Sequence, residues 1–72
     1  MERYKDINND SGVEMYEIGP DYIDVKFSGP KIYKYTYQTA GAVHIEKMKM
    51  LAKNGDGLNS YIMRNVKSLF VK

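Results

Sequence analysis

The chain has 72 residues, of which 11 are Lys or Arg and 9 are Asp or Glu, and 43% are hydrophobic. This length fits one small domain and excludes a two-domain enzyme or a deep pocket enclosed by one chain. The absence of cysteine excludes disulfides and thiolate metal sites, and a single histidine excludes a histidine-rich site. A net charge of +2 is too small to indicate a nucleic-acid binder by itself. Since so small a domain needs added stabilisation, we expect a homo-oligomer that carries no cofactor.

Two further features of the composition bear on location and role. The sequence shows no apolar leader and no run of 18 apolar residues, so we expect a cytoplasmic protein that does not enter a membrane. It contains seven tyrosines and five methionines but no tryptophan. Tyrosine combines a large apolar body with a polar tip, and methionine adapts to irregular contacts, so this composition is typical of interfaces and ligand surfaces.

The first half of the chain predicts strands. Residues 1–12 are polar apart from Tyr4 and Ile7, and we interpret them as an N-terminal arm that precedes a single domain at 13–72. Three short strand-like segments separated by Gly-Pro turns then predict an antiparallel meander, with strands at 13–18, 22–27 and 31–37, of which the second and third alternate clearly.

The second half changes to a helical period. A first helix is predicted over 40–53, with Thr39 as its N-cap. The loop 54–57 ends this helix, and a second helix is predicted over 58–66. The tail 67–72 has three alternative interpretations: it extends the helix, adds an edge strand, or swaps onto a neighbouring subunit. The predicted fold class is therefore α+β, a three-stranded antiparallel meander followed by two helices packed on one face.

The first helix carries two apolar stripes. One arc is suited to the core and includes Ile45, Met48 and Leu51. The other contains Val43 and Met50, which belong either to a small core that wraps widely or to a subunit interface. We expect five residues to be almost fully buried: Val25, Phe27, Met48, Leu51 and Ile62.

A row of aromatic side chains marks the third predicted strand. Tyr33, Tyr35 and Tyr37 alternate along it and share one face. Such a row stacks on nucleobases in some proteins, and Lys31 and Lys34 would then contact phosphate. The alternative is that these tyrosines form the less polar face and pack on the helix.

The glycine-rich loop between the helices is a second candidate site. Gly55 and Gly57 flank a position before a helix, where backbone amides can point at an anion, with Lys49, Lys53 and Arg64 predicted nearby. The alternative is a structural cap, because the Asp56 carboxylate would occupy the place of a phosphate. The sequence contains no Walker motif.

The remaining polar residues suggest no catalytic centre. His44 has no second histidine, Ser60 has no base placed by sequence, and Glu46 has no partner acid. Asp21 and Asp24 are interpreted as turn and strand-surface acids. Since neither a nucleophile–base pair nor a metal-ligand set is present, we predict that the protein is not an enzyme.

Several segments resemble the KTSC family, a domain of about this length found at the C-terminus of some lysyl-tRNA synthetases and as stand-alone bacterial and phage proteins. The similar segments are a central Tyr-x-Tyr at Tyr33-Lys34-Tyr35 or Tyr35-Thr36-Tyr37, the helix start from Gly57 through Asn59 to Ile62 with Arg64 following, and the strand opening 15–19. The resemblance covers 13–66. It departs at the short turn 19–21 and at 39–41, where many members have a proline. It implies a non-enzymatic module, for which RNA binding has been suggested.

Together these observations predict a non-catalytic binding module for a phosphate-bearing ligand, either RNA or a nucleotide. One alternative is a homo-oligomeric phage or bacterial protein that sequesters a small nucleotide signal at subunit junctions, and another is a protein–protein adaptor. The predicted ligand-binding residues are Tyr33, Lys34, Tyr35, Tyr37, Lys53, Gly55, Gly57, Asn59 and Arg64.

Overall fold

The computed structural model describes residues 1–7 and 12–71. Within them, one antiparallel sheet has the order β1-β2-β3-β4, formed by β1 (Glu2–Arg3), β2 (Val13–Ile18), β3 (Tyr22–Phe27) and β4 (Ile32–Thr36). The helical half comprises α1 (Tyr37–Ala40), α2 (Ala42–Asn54), α3 (Leu58–Tyr61) and a π-helix (Ile62–Val66). The predicted α+β class is confirmed. No helix in this part of the chain is long and apolar enough to cross a membrane.

The predicted meander is present as β2, β3 and β4. In the register, Val25 lies between Tyr16 on β2 and Tyr33 on β4, while Ile23 pairs with Tyr35. Because side chains alternate along a strand, these residues share the face that carries the core. Ile23 and Val25 are fully buried there.

The fourth strand, β1, lies in the segment that the sequence predicted as an arm, so that prediction is corrected for residues 2–4. Glu2 and Arg3 pair with β2, and the Tyr4 amide donates to the Glu14 carbonyl oxygen at 3.0 Å. The Tyr4 side chain is 3% exposed and belongs to the core. Two paired residues are too few to show an alternating pattern. Positions 8–11 of the predicted arm lie outside the described residues.

The start of the helical half also differs from the prediction. The Thr36 side chain accepts a hydrogen bond from the Thr39 amide at 3.0 Å, and the Thr39 hydroxyl accepts one from the Thr36 amide at 3.1 Å. This reciprocal capping box makes Thr36 the N-cap and moves Tyr37 from the strand into α1. Gly41, with φ of 93°, then separates α1 from α2, which begins at Ala42.

The burial predictions are confirmed for three residues and corrected for two. Val25, Met48 and Ile62 are fully buried. Phe27 and Leu51 are only half-buried and pack at the margin of the core. The buried residues of α2 are Ile45, Met48 and Ala52, which places Leu51 on the flank of the helix.

The second predicted helix is present in a divided form, and the tail that follows it lies beside β4. Residues 58–66 are helical as predicted, but they divide into α3 and a π-helix, and Leu58, Ile62 and Val66 are fully buried. The tail then lies against β4, where the Val71 amide donates to the Lys34 carbonyl oxygen at 2.7 Å. This contact agrees with the edge alternative, although no strand forms between 67 and 71.

Candidate functional site

The end of the sheet between β4 and the tail contains a cavity of about 510 Å³. Residues from β3, the β3–β4 turn, β4, the π-helix and the tail contribute to its wall: Phe27, Ser28, Pro30, Lys31, Tyr33, Tyr35, Met63, Lys67 and Phe70. Four of these nine residues are aromatic. The cavity therefore has an aromatic wall built from segments that are far apart in sequence.

The Tyr33 ring packs edge to face with Phe27 and at a tilt against Phe70. The ring centroids of Phe27 and Tyr33 are 5.7 Å apart with an interplanar angle of 71°. The Phe70 ring lies 4.8 Å from that of Tyr33 and 6.2 Å from that of Tyr35. Phe27, Tyr33 and Phe70 are each half-buried. They therefore keep accessible surface, some of which borders the cavity and can stack on a planar ligand.

Tyr35 is the most deeply buried member of this wall, with 2% of its surface exposed. Burial raises the pKa of its hydroxyl to about 12, and the neighbouring Tyr33 contributes to the same shift. The hydroxyl therefore stays protonated at every physiological pH. It can act both as a hydrogen-bond donor and as an acceptor.

Two lysines give the cavity its charge. Lys31 and Lys67 line it, both are exposed, and neither forms an ion pair within residues 1–7 and 12–71. Three other lysines are paired with carboxylates: Lys26 with Glu14, Lys34 with Asp24 and Lys49 with Glu46. Among the residues that the structure describes, no acidic side chain contributes to the cavity wall. This part of the wall therefore carries positive charge without a carboxylate to balance it.

The predicted tyrosine row is divided by the structure. Tyr33 and Tyr35 lie together in the cavity wall, but Tyr37 is on α1, where its hydroxyl donates to a Glu46 carboxylate oxygen. The Lys34 amine lies 3.8 Å from an Asp24 carboxylate oxygen and 4.1 Å from the centroid of the Tyr22 ring, so it is engaged away from the cavity. Tyr37 and Lys34 are therefore removed from the predicted stacking site.

The glycine loop is occupied by contacts within the chain. The Gly55 amide donates to the Leu51 carbonyl at 3.0 Å, and the Gly55 carbonyl accepts from the Ile7 amide at 2.8 Å. The Leu58 amide donates to the Tyr4 hydroxyl at 3.2 Å. The Gly55 and Leu58 amides are donors that an anion would need, and their use within the chain favours the capping alternative. The remaining predicted residues, Lys53, Gly57, Asn59 and Arg64, do not contribute to the cavity wall.

Sequence reasoning missed several residues of the cavity. Phe27 was assigned to the core, and Met63, Lys67 and Phe70 were not considered as site residues. The apolar triplet at 69–71 was the available signal, and of its members Phe70 packs against the core while Leu69 and Val71 stay exposed. The alternation of residues within the strands could not show that the tail lies against β4.

The groups with nucleophilic or basic character do not assemble into a catalytic set. His44 Nδ1 lies 2.6 Å from the Tyr61 hydroxyl, and Ser60 is exposed. Within the described ranges, no three His, Cys, Asp or Glu residues are grouped as a metal ion requires. The absence of enzymatic activity remains a prediction.

The chain was compared with protein-family models, curated proteins and solved structures. No family model, no curated protein and no solved structure matches the chain. The resemblance to the KTSC family therefore remains a prediction.

Proposed function

We propose that this protein is a non-catalytic module that binds a phosphate-bearing aromatic ligand, either a free nucleotide or an exposed base of RNA. The binding site is the cavity between β4 and the tail. The observation that carries this proposal is the combination of an aromatic wall with two unpaired lysines at one cavity.

The dimensions and chemistry of the cavity support this ligand class. Its volume of about 510 Å³ lies within the range of small-molecule sites, which is about 300–1,000 Å³. Stacking of a base on an aromatic side chain contributes about 1–3 kcal/mol. Lys31 and Lys67 provide positive charge for a phosphate, and no carboxylate among the described wall residues opposes it.

Calorimetric titration with 5′-UMP, 5′-AMP and a single-stranded RNA decamer tests the proposal. Ribose 5-phosphate serves as the ligand without a base and should bind more weakly than either nucleotide. The affinity should fall between about 50 and about 200 mM salt, because phosphate contacts release counter-ions. A much tighter complex with the decamer than with either nucleotide would identify RNA as the ligand.

Charge variants provide the matched control. Lys31→Gln and Lys67→Gln should each weaken binding and reduce its salt dependence, whereas Lys47→Gln, on α2 and outside the cavity wall, should leave both unchanged. If the wild-type protein binds none of the nucleotide probes, the proposal is wrong. Salt-independent capture of a protein partner would instead favour an adaptor.

Self-association is a second candidate, and the outer surface of α2 favours it. Val43 is 82% exposed and Met50 is 46% exposed. Both belong to the stripe that the sequence analysis assigned either to the core or to a subunit interface. Because neither is covered within the chain, we propose a second copy of the chain as the partner of this stripe.

A further inference from the structure

The tyrosine hydroxyls fall into two groups. Within residues 1–7 and 12–71, four of the seven form a hydrogen bond with another group of the chain: Tyr4 with the Leu58 amide, Tyr22 with Glu17, Tyr37 with Glu46 and Tyr61 with His44. For a fifth, Tyr16, the Glu2 carboxylate contributes to a raised pKa. The hydroxyls of Tyr33 and Tyr35 have no hydrogen-bond partner in the described part of the chain. These two tyrosines are also the two that line the cavity.

An unpaired hydroxyl on a buried side chain is unusual, because buried polar groups are nearly always hydrogen-bonded. The Tyr35 side chain is 98% buried. Among the described residues, however, one side-chain oxygen is both fully enclosed and without a hydrogen bond, and it belongs to Asp24 and not to Tyr35. The Tyr35 hydroxyl is therefore not sealed inside the core. Since Tyr35 contributes to the cavity wall, its remaining exposure opens on the cavity.

Phenylalanine would serve the core equally well at this position if packing were the only requirement. Tyr33 and Tyr35 are two residues apart on β4 and point to the same face of the sheet. The ring of Phe70 lies against both. Tyr33 and Tyr35 therefore bring two hydroxyl groups to the aromatic side of the cavity wall.

We infer that the Tyr33 and Tyr35 hydroxyls hydrogen-bond the polar edge of the bound ring and so select a nucleobase over an apolar aromatic ring. This inference rests on the proposed function. Each hydroxyl can donate one hydrogen bond and accept others, so the pair can match an edge that presents a donor beside an acceptor. Nucleobases have such edges. A ring without polar atoms would leave both hydroxyls unpaired, and a site built for hydrogen bonds rejects such a ligand.

The test compares 5′-UMP with phenyl phosphate, which carries a phosphate on an apolar ring. Wild-type protein should bind 5′-UMP more tightly than phenyl phosphate, by up to about tenfold for each hydrogen bond that the two hydroxyls form. Tyr35→Phe should weaken 5′-UMP binding by about tenfold and leave the affinity for phenyl phosphate unchanged. Tyr33→Phe should have the same type of effect, and it changes a less buried side chain.

Tyr22→Phe is the matched control, because the Tyr22 hydroxyl already donates to Glu17 and the residue is outside the cavity wall. It should bind both probes like the wild type. Thermal unfolding of Tyr35→Phe gives a readout that does not depend on any ligand. The variant should be at least as stable as the wild type, because it loses an unpaired hydroxyl.

The outcomes distinguish this inference from the proposed function. If wild-type protein binds 5′-UMP and both phenylalanine variants retain its affinity, the function stands and the hydroxyl inference is overturned. A large loss of stability in Tyr35→Phe would also overturn it, by showing that the hydroxyl has a structural role. If wild-type protein binds no nucleotide probe, both proposals fail.

Discussion

The hydroxyl of Tyr4 accepts a hydrogen bond from the backbone amide of Leu58 at 3.2 Å, across 54 residues of sequence. A second bond joins the same two segments, from the Ile7 amide to the Gly55 carbonyl at 2.8 Å. The N-terminal segment therefore packs on the loop between α2 and α3 and is hydrogen-bonded to both of its ends. This relationship leads to the first two predictions.

Tyr4→Phe should lower the free energy of unfolding by about 1–3 kcal/mol, because the Leu58 amide loses its partner in a buried place. Urea denaturation monitored by circular dichroism measures this change. Tyr22→Phe is the control, since its hydroxyl donates to Glu17 over 3.4 Å at an exposed position and should contribute little. Equal stability of Tyr4→Phe and wild type would contradict the structural role of this bond.

Gly55→Ala should destabilise the protein more than Gly57→Ala. Both glycines have a positive φ, 75° and 83°, so an alanine at either position costs about 1–2 kcal/mol. At Gly55 the new Cβ would also lie 2.6 Å from the Lys5 Cβ, whereas at Gly57 the nearest atom is 3.7 Å away, on Leu51. Thermal melts of the two variants measure the difference. Equal melting temperatures would show that residue 5 does not pack on the loop.

Met48→Ala should largely unfold the isolated chain, whereas Leu51→Ala should remain folded. Met48 is fully buried, and truncation of a buried methionine costs about 2–5 kcal/mol. That is comparable with the whole stability of such a small domain, about 3–5 kcal/mol. Leu51 is half-buried, so its truncation removes less contact. Denaturant titration distinguishes the two, and a cooperative, native-like Met48→Ala would contradict the assigned helix phase.

Stability should decline at alkaline pH, in part because of Tyr35. Burial raises the pKa of Tyr35 to about 12 from its ordinary value of 10. The unfolded chain therefore loses this proton first, and stability that is fully present below pH 10 is lost as the pH approaches about 12. The slope from one group is at most about 1.4 kcal/mol per pH unit.

Tyr35→Phe should reduce this alkaline decline. It should not abolish it, because burial raises the pKa of Tyr16 and the hydrogen bond to Glu46 raises that of Tyr37. Melting temperatures of wild type and variant between pH 8 and about 11 measure the difference. Parallel curves would show that Tyr35 titrates normally.

Met50→Glu should shift the protein toward monomer if the outer stripe of α2 joins two copies. Met50 is 46% exposed within the chain, so a charge there should leave the fold intact. Sedimentation velocity combined with circular dichroism measures both properties. Lys31→Gln, in the cavity wall and not on α2, is the control and should not separate the subunits. A wild-type protein that sediments as a monomer would rule out this interface.

The parts of the fold that could be predicted are those with a strong local pattern. β3 has the predicted bounds because its buried and less buried residues alternate as in a half-buried strand. β2, whose register shifts between Val13 and Met15, does not alternate, and its end is marked instead by the turn at Gly19 and Pro20. The helix start was displaced because Thr36 and Thr39 are both plausible caps by residue type. The reciprocal hydrogen bonds between the two threonines make Thr36 the N-cap. The sequence shows only that the two residues are three positions apart.

The site was predicted only in part for a related reason. Tyr33 and Tyr35 could be proposed from their alternation on one strand, but the same alternation wrongly included Tyr37. Phe70 and Lys67 enter the cavity wall because the tail folds back along β4. That path depends on tertiary packing, which no local period records.

The hydrogen bond between Tyr4 and Leu58 also bears on how the protein folds during its synthesis. A ribosome releases a chain from its N-terminus, so the β-strands emerge well before the helices that cover them. Because the Tyr4 hydroxyl bonds to the Leu58 amide, the contacts of the first segment are complete only after most of the chain has been made. The core face of the sheet stays uncovered until the helices are made, so the chain should fold late during synthesis and in one cooperative step.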